Sequence, residues 1–365
     1  MEDFFEIDFL KAGNKKSCDA IPVRYRINDK TRIHVTDGGF QDTGDLIIEH
    51  MKEHYGAQSK LNAVVVTHPD GDHAGGVRKL LEEYEVEELW MLRPWKYADE
   101  LIDRFSRFQN VENLAKRLKE VYPNIAALEE IAEEKGIDIF EPMQGAEIGA
   151  FRVMAPTKER YLDLIVESEK TPEGTKEAQI SIAEEAARIL GKMTVEAVRR
   201  LKAALWGEEY FPEEGTSSEN EMSVVQYASL CGEKVLLTGD AGRSALMEAA
   251  DYAESIGIVL PGIDRVQVPH HGSRHNVSVE VLDRWLGEKL KEKPEKGKGS
   301  FSAIISAAED DDDHPRKAVI RGFMHRGANV ITTEKGSKCT GRNAPQREGW
   351  VTAIPVEYPE EQEED

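Results

Sequence analysis

The sequence predicts an α/β fold, and three observations carry that prediction. Short apolar runs of strand composition recur along the chain, among them "FFEIDFL", "LNAVVV", "KVLLTGD", "DRVQV" and "SAIISA". Charged stretches of helical period, such as "DTGDLIIEHMKEH" and "SALMEAADYAESIG", alternate with them. Several of the apolar runs end abruptly in acids or histidines, and the ends of neighbouring strands are where α/β layers place their chemistry.

Taken in order, "FFEIDFL", "DAIPVRYRI" and "RIHVTDGG" read as strands of an opening meander, each bounded by Gly, Asn or Asp. "DTGDLIIEHMKEH" follows as a helix behind an Asp or Thr cap, and "LNAVVV" as a buried strand that delivers "THPDGDHAGG" at its end. "ELWML" is the next parallel strand. From about residue 93 to 135, and again from about 157 to 215, the chain turns to charged amphipathic helix, which reads as a two-part helical cap inserted into the sheet. "SVVQYAS" and "KVLLTGD" then form a hairpin ending at Asp240, and "DRVQV" runs directly into "PHHGSRHN". A helix from Ser278, the strand "SAIISA", the loop "EDDDDHP", a further helix and the strand "NVITT" complete the body, placing one domain over 1–356 with an acidic, solvated tail over 357–365.

The 365 residues, 40% of them apolar, suffice for a sizeable core. Acids occupy the positions near the N-terminus where a signal peptide would be apolar, and no run is long enough to span a bilayer, so the expectation is a soluble, cytoplasmic protein without membrane contact. Cys18, Cys231 and Cys339 are too few and too scattered for a disulfide framework. A formal charge of -22 excludes broad duplex binding, which relies on lysine and arginine releasing counterions.

Three strand ends present metal-type ligands: His68, Asp70, Asp72 and His73 after the first, Asp240 after the second, His270 and His271 after the third. Pro69 favours an extended His68, so that His68 and Asp70 project to one side, while Gly71 permits the bend that sends Asp72 and His73 to a second point. Mixed imidazole and carboxylate suit zinc, manganese or iron, and a pair of cations about 3.5 to 4 Å apart is a common device for hydrolysing phosphate esters.

The segments "THPDGDHAGG", "VLLTGD" and "VPHHGS", with "DGG" at 37–39, resemble the signature segments of metallo-β-lactamase-fold hydrolases, in particular the branch of competence (DNA-uptake, ComEC-like) hydrolase domains. The resemblance implies a four-layer αββα sandwich with two divalent cations at one edge of the sheets, and a metal-bound hydroxide as nucleophile. It implies His68 and Asp70 on the first cation, Asp72 and His73 on the second, Asp240 bridging both, and one of His270 and His271 as the last ligand, with the choice between them open. It also implies that Asp37 orients a ligand histidine. Asp70 stands where the commonest members carry histidine, and Asn220 lies where a further ligand would fall. The first position is therefore expected to be oxygen-rich, favouring manganese or magnesium there over zinc.

His314, after "SAIIS", is the candidate proton donor or phosphate contact, and Asp72 and Asp240 the candidate catalytic carboxylates. Ser273 and Arg274 are candidates to meet developing negative charge, and Arg93, with Trp95 and Lys96, to hold a phosphate and stack a base. The run Asp310 to Asp313 reads as a solvated loop, His50 and His54 as an exposed helix face, and His34, His275 and His325 receive no role. The expected substrate is a phosphodiester, single-stranded nucleic acid or a nucleotide; small esters or lactones are the alternative, and a non-catalytic protein partner or self-association through the helical insertion the second alternative.

Overall fold

Strand β1 (Phe4–Phe9) puts Phe5, Ile7 and Phe9 on one face and Glu6 and Asp8 on the other, and all its residues are buried. Such a strand needs an apolar layer on one side and cations on the other, and the computed structural model supplies both. It describes residues 2–13, 15–56, 59–171 and 206–363. Beside β1 lie β2 (Ala20–Ile27), β3 (Lys30–Gly38), β4 (Ala63–Val65), β5 (Glu88–Trp90) and β6 (Asp138–Phe140). A second sheet holds β7 (Glu147–Ile148), β8 (Phe151–Ala155), β9 (Val225–Leu230), β10 (Glu233–Leu237), β11 (Arg265–Gln267), β12 (Phe301–Ile305) and β13 (Ala328–Thr332), and β14 (Lys338–Arg342) returns to pair with β1.

The spatial orders are β14, β1, β2, β3, β4, β5, β6 and β13, β12, β11, β10, β9, β8, β7. Each sheet is antiparallel in one half and parallel in the other. Phe5, Ile7, Phe9, Ile21, Val23 and Tyr25 meet Phe151, Leu230, Val235, Leu237 and Ile304 between the sheets. The outer face of the first sheet is covered by α1 (Thr43–His54), α2 (Val77–Glu83), α3 (Val111–Val121), α4 (Pro123–Lys135) and α5 (Lys158–Glu167). That of the second is covered by α6 (Arg243–Ser255), α7 (Val279–Leu286) and α8 (Lys317–His325). Three apolar layers between four layers of backbone give the αββα sandwich that the resemblance implies.

The stretch 93–135, expected as part of a cap, instead belongs to the outer layer: α3 and α4 bury Leu114, Leu118, Ile125 and Leu128 in the same cluster as Val64 and Leu89. Of the second expected part, 157–215, α5 lies in the same outer layer, and residues 172–205 lie outside the described residues. The acidic tail is docked rather than solvated up to residue 363: Tyr358 lies against Arg321 and Lys293, and Glu363 accepts from the backbone N–H groups of Lys317 and Ala318 at the start of α8. His50 is likewise buried, 3.1 Å from the Asp8 carboxylate. Among the described residues no helix is long and apolar enough to cross a membrane.

Candidate metal centre

Two glycine pairs bring the first ligand loops together. A Cβ on Gly38 would lie 2.4 Å from the Val77 nitrogen and one on Gly76 would lie 2.1 Å from the Gly38 oxygen, so "DGG" and "AGG" interlock backbone to backbone. That contact sets Asp37 beneath the loop after β4. Its carboxylate accepts from the Thr67 N–H (2.8 Å), the Thr67 hydroxyl (2.7 Å) and His73 Nδ1 (2.8 Å).

Each of four histidines has its Nδ1 hydrogen committed to an acceptor, and this decides its tautomer. His73 donates to Asp37, and His271 to the Ser306 carbonyl at 3.0 Å. His68 donates to Thr67 Oγ1 (3.1 Å), whose own hydrogen goes to Asp37. His270 donates to Asn276 Oδ1 (2.9 Å), whose amide nitrogen is spent on the Asp240 carbonyl. All four therefore present an Nε2 lone pair, and these converge on the carboxylates. His73 Nε2 is 3.2 Å from Asp240 Oδ1, while His68 and His270 Nε2 are 3.8 and 3.6 Å from its Oδ2. His271 Nε2 is 3.8 Å from Asp72 Oδ2.

Both histidines of "PHHG" thus reach the cluster. Successive residues of a strand would point opposite ways, but His270, His271 and Gly272 have φ of 46°, 53° and 88°, and this left-handed run turns both rings toward Asp240 and Asp72.

The fit to a cation rests on atoms left without partners. His68, His73 and His271 Nε2, Asp240 Oδ1 and Asp19 Oδ1 are all buried and make no hydrogen bond. Asp19, His73, Asp240 and His271 can bring one ligand atom each within 4.8 Å of one another. Five buried lone pairs left orphaned in one place would be costly. Imidazole and carboxylate oxygen are the donors that divalent transition metals take, so the residues fit such ions.

Without a cation, protons take its place. Burial opposes charge on His271, but the nearby carboxylates of Asp240, Asp72 and Asp19 outweigh it and raise the group to about 9. His73 is raised well above its usual value for the same reason, burial being outweighed by Asp240 and Asp37. Burial lowers His68, aided by the charge of His73. Burial pushes Asp240 up, yet the surrounding imidazoles win and hold it well below the carboxylate range.

The other expected residues fall as follows. Asp70 is one-third exposed and is held by the Lys170 ammonium at 2.6 Å rather than by a histidine. Asn220 sits behind His270, its amide nitrogen 3.1 Å from Nδ1 and donating to Thr216. His314 stands at the rim, its ring centroid 5.3 Å from that of His270 and 6.1 Å from that of His271. Burial, reinforced by those two imidazoles, lowers it to about 4, so at neutral pH it is uncharged and has no imidazolium proton to give. Ser273 and Arg274 are buried, Arg274 lying 6.0 Å from the Tyr210 ring.

Arg93 corrects the expectation of a phosphate-holding cation. Its guanidinium donates to Glu141 (2.7 Å) and Glu129 (3.1 Å), and Trp95 is buried with its indole N–H on Glu129. Two contributors escaped the motif reading: Lys170, in the expected cap, and Asp19. The parity of β2 was a signal for Asp19, since it shares the face of Ile21, Val23 and Tyr25 and therefore points between the sheets.

Residues 25–144 match the family model described as Metallo-beta-lactamase superfamily, and the chain has the metallo-β-lactamase fold. No curated protein matches the chain. Among solved structures it is similar to the metallo-beta-lactamase fold protein YhfI from Bacillus subtilis, at 9% identity over 93% of this chain and 100% of that one, with a TM-score of 0.42. It is also similar to the metallo-beta-lactamase SMB-1 (10% identity, 73% of this chain, 82% of that one, TM-score 0.31). The CmlA beta-hydroxylase matches at 11% identity over 93% of this chain and 54% of that one, with a TM-score of 0.38.

Proposed function

We propose that this chain of the metallo-β-lactamase fold is a metal-dependent hydrolase that holds two divalent cations and cleaves phosphodiesters, with nucleic acid or nucleotides as the substrate class. One observation carries the reading: four Nδ1-anchored imidazoles present Nε2 to the carboxylates of Asp240 and Asp72, and the two oxygens of Asp240 face different histidines. His73, His271, Asp72 and Asp240 would hold one cation, and His68, His270 and Asp240 the other. Bound there, the cations supply a water of lowered pKa and neutralise charge developing on a phosphoryl oxygen.

The protein's own groups do the rest. Asp37, Thr67, Ser306 and Asn276 hold the imidazoles in one tautomer, so no reorganisation is needed at the moment of reaction. His314, neutral at the rim, can donate a hydrogen bond to a departing oxygen. An ester or lactone needs an apolar recess for its acyl chain. Among the described residues the hollow beside His68, lined by Val66, Leu92, Ile125, Tyr161 and Met222, has room for about 10 Å³, at most one water and too little for an acyl chain.

The test is turnover of bis-p-nitrophenyl phosphate, single-stranded DNA and a lactone panel with manganese or zinc, beside an Asp240→Ala control. Phosphodiester cleavage that needs the metal and is lost in the variant is the expected result. Lactone turnover alone would overturn the substrate class, and activity indifferent to Asp240 would overturn the site.

A further inference from the structure

We infer that Asp19 is an additional carboxylate ligand of the cation held by His73 and His271, which makes that position oxygen-rich and the two positions unequal. The inference rests on the two-cation reading above and concerns a residue outside every motif that points to it.

Asp19 is 1% exposed, and its two oxygens have different surroundings. Oδ2 accepts from Gln267 Nε2 at 2.9 Å. Gln267 is itself fixed, its Oε1 accepting from the backbone N–H groups of Thr238 and Gly239, so one side chain braces both Asp19 and the turn that carries Asp240. The Asp19 backbone N–H donates to the Asp72 carbonyl at 3.2 Å, tying it to the first ligand loop. Oδ1, in contrast, is buried and makes no hydrogen bond, in the same group as His73, Asp240 and His271. A carboxylate braced on one oxygen and left bare on the other, beside imidazole nitrogens also bare, is arranged as a ligand is.

The competing role, orienting His73, is already filled. His73 Nδ1 lies 3.9 Å from Asp19 but donates to Asp37 at 2.8 Å. With Asp19 included, the donors at this position become two imidazoles and three carboxylates, Asp19, Asp72 and Asp240. The other position has His68, His270 and one oxygen of Asp240. The first set suits manganese or iron and the second zinc. This reverses the expectation drawn from Asp70, which placed the oxygen-rich position on the His68 side; Lys170 holds Asp70 instead.

The test is calorimetric titration of the chelator-stripped full chain with manganese and, separately, zinc, in wild type, Asp19→Ala and the near-isosteric Asp19→Asn. The wild type should take up two cations. In both variants one cation should bind at least tenfold more weakly, with the loss larger for manganese than for zinc, because only the loss of an oxygen donor shifts the preference between metals. Affinities for both metals unchanged in Asp19→Asn and Asp19→Ala would overturn the assignment while leaving the two-cation reading intact. Equal weakening of both metals would reduce Asp19 to a packing role and also overturn it. A wild type that binds neither metal would overturn the two-cation reading, and this inference with it.

Discussion

Loading the metal-free protein with a cation at neutral pH should expel protons, and the cost follows from the imidazoles. His271 is raised to about 9, because the carboxylates of Asp240, Asp72 and Asp19 together outweigh burial. His73 is raised as well, by Asp240 and Asp37 against burial. Both keep their Nδ1 hydrogen on Ser306 or Asp37, so the proton that must leave is the one on Nε2, the atom a cation needs. Freeing His271 at pH 7, two pH units below its titration, costs about 2.7 kcal/mol, so its contribution alone makes apparent affinity ~50-fold weaker at pH 7 than at pH 9. His68, held low by burial and by His73, adds no proton to the count. Calorimetry at pH 7 in buffers of different ionisation enthalpy should therefore show close to two protons released on filling the His73–His271 position, with affinity rising steadily up to pH 9. The stability of the metal-free chain should move the other way. A group raised from 6.5 to about 9 stabilises the fold fully below pH 6.5 and ceases to do so as pH rises through 9, so thermal unfolding in chelator should fall across that window. The metal-loaded chain should not follow. A flat affinity from pH 6.5 to 9 with no proton release would refute the arrangement of His73 and His271 around Asp240.

Asp37→Ala removes the acceptor of three hydrogen bonds, so metal affinity should fall about 10- to 100-fold in a chelator competition, and stability by roughly 1–3 kcal/mol. His314→Ala should lower kcat on a phosphodiester by about 10²-fold with metal content unchanged, and the wild-type rate should show no limb from this residue between pH 5.5 and 8, because it titrates at about 4. Arg347→Met strips Glu6 and Asp8, both fully buried, of the guanidinium that pairs with each, and should cost about 3–5 kcal/mol in urea unfolding. Gly76→Ala drives a Cβ to 2.1 Å from the Gly38 oxygen; it should loosen Asp37 and weaken metal binding as Asp37→Ala does.

What the sequence made legible is what strand ends present. His68, Asp72, His73, Asp240, His270 and His271 each follow an apolar run directly, and parallel neighbours in a sheet carry such ends to one edge whatever lies between them. Asp19 precedes its strand instead of following it, and only the alternation of β2 marks its direction. The choice between His270 and His271 was not available from strand periodicity, because the left-handed run that turns both rings inward is set by packing: a Cβ on Gly272 would lie 2.8 Å from the Pro315 side chain. Charge availability was the least legible property. Arg93 reads locally as a free cation after a strand, yet its partners Glu129 and Glu141 are 36 and 48 residues away on other elements, and Asp70 is claimed by a lysine 100 residues on. A ligand's chemical type is a local property of the chain, whereas its freedom to bind depends on which distant charge the fold delivers to it, and that is why the oxygen-rich half of the centre lies on the opposite side from the one Asp70 suggested.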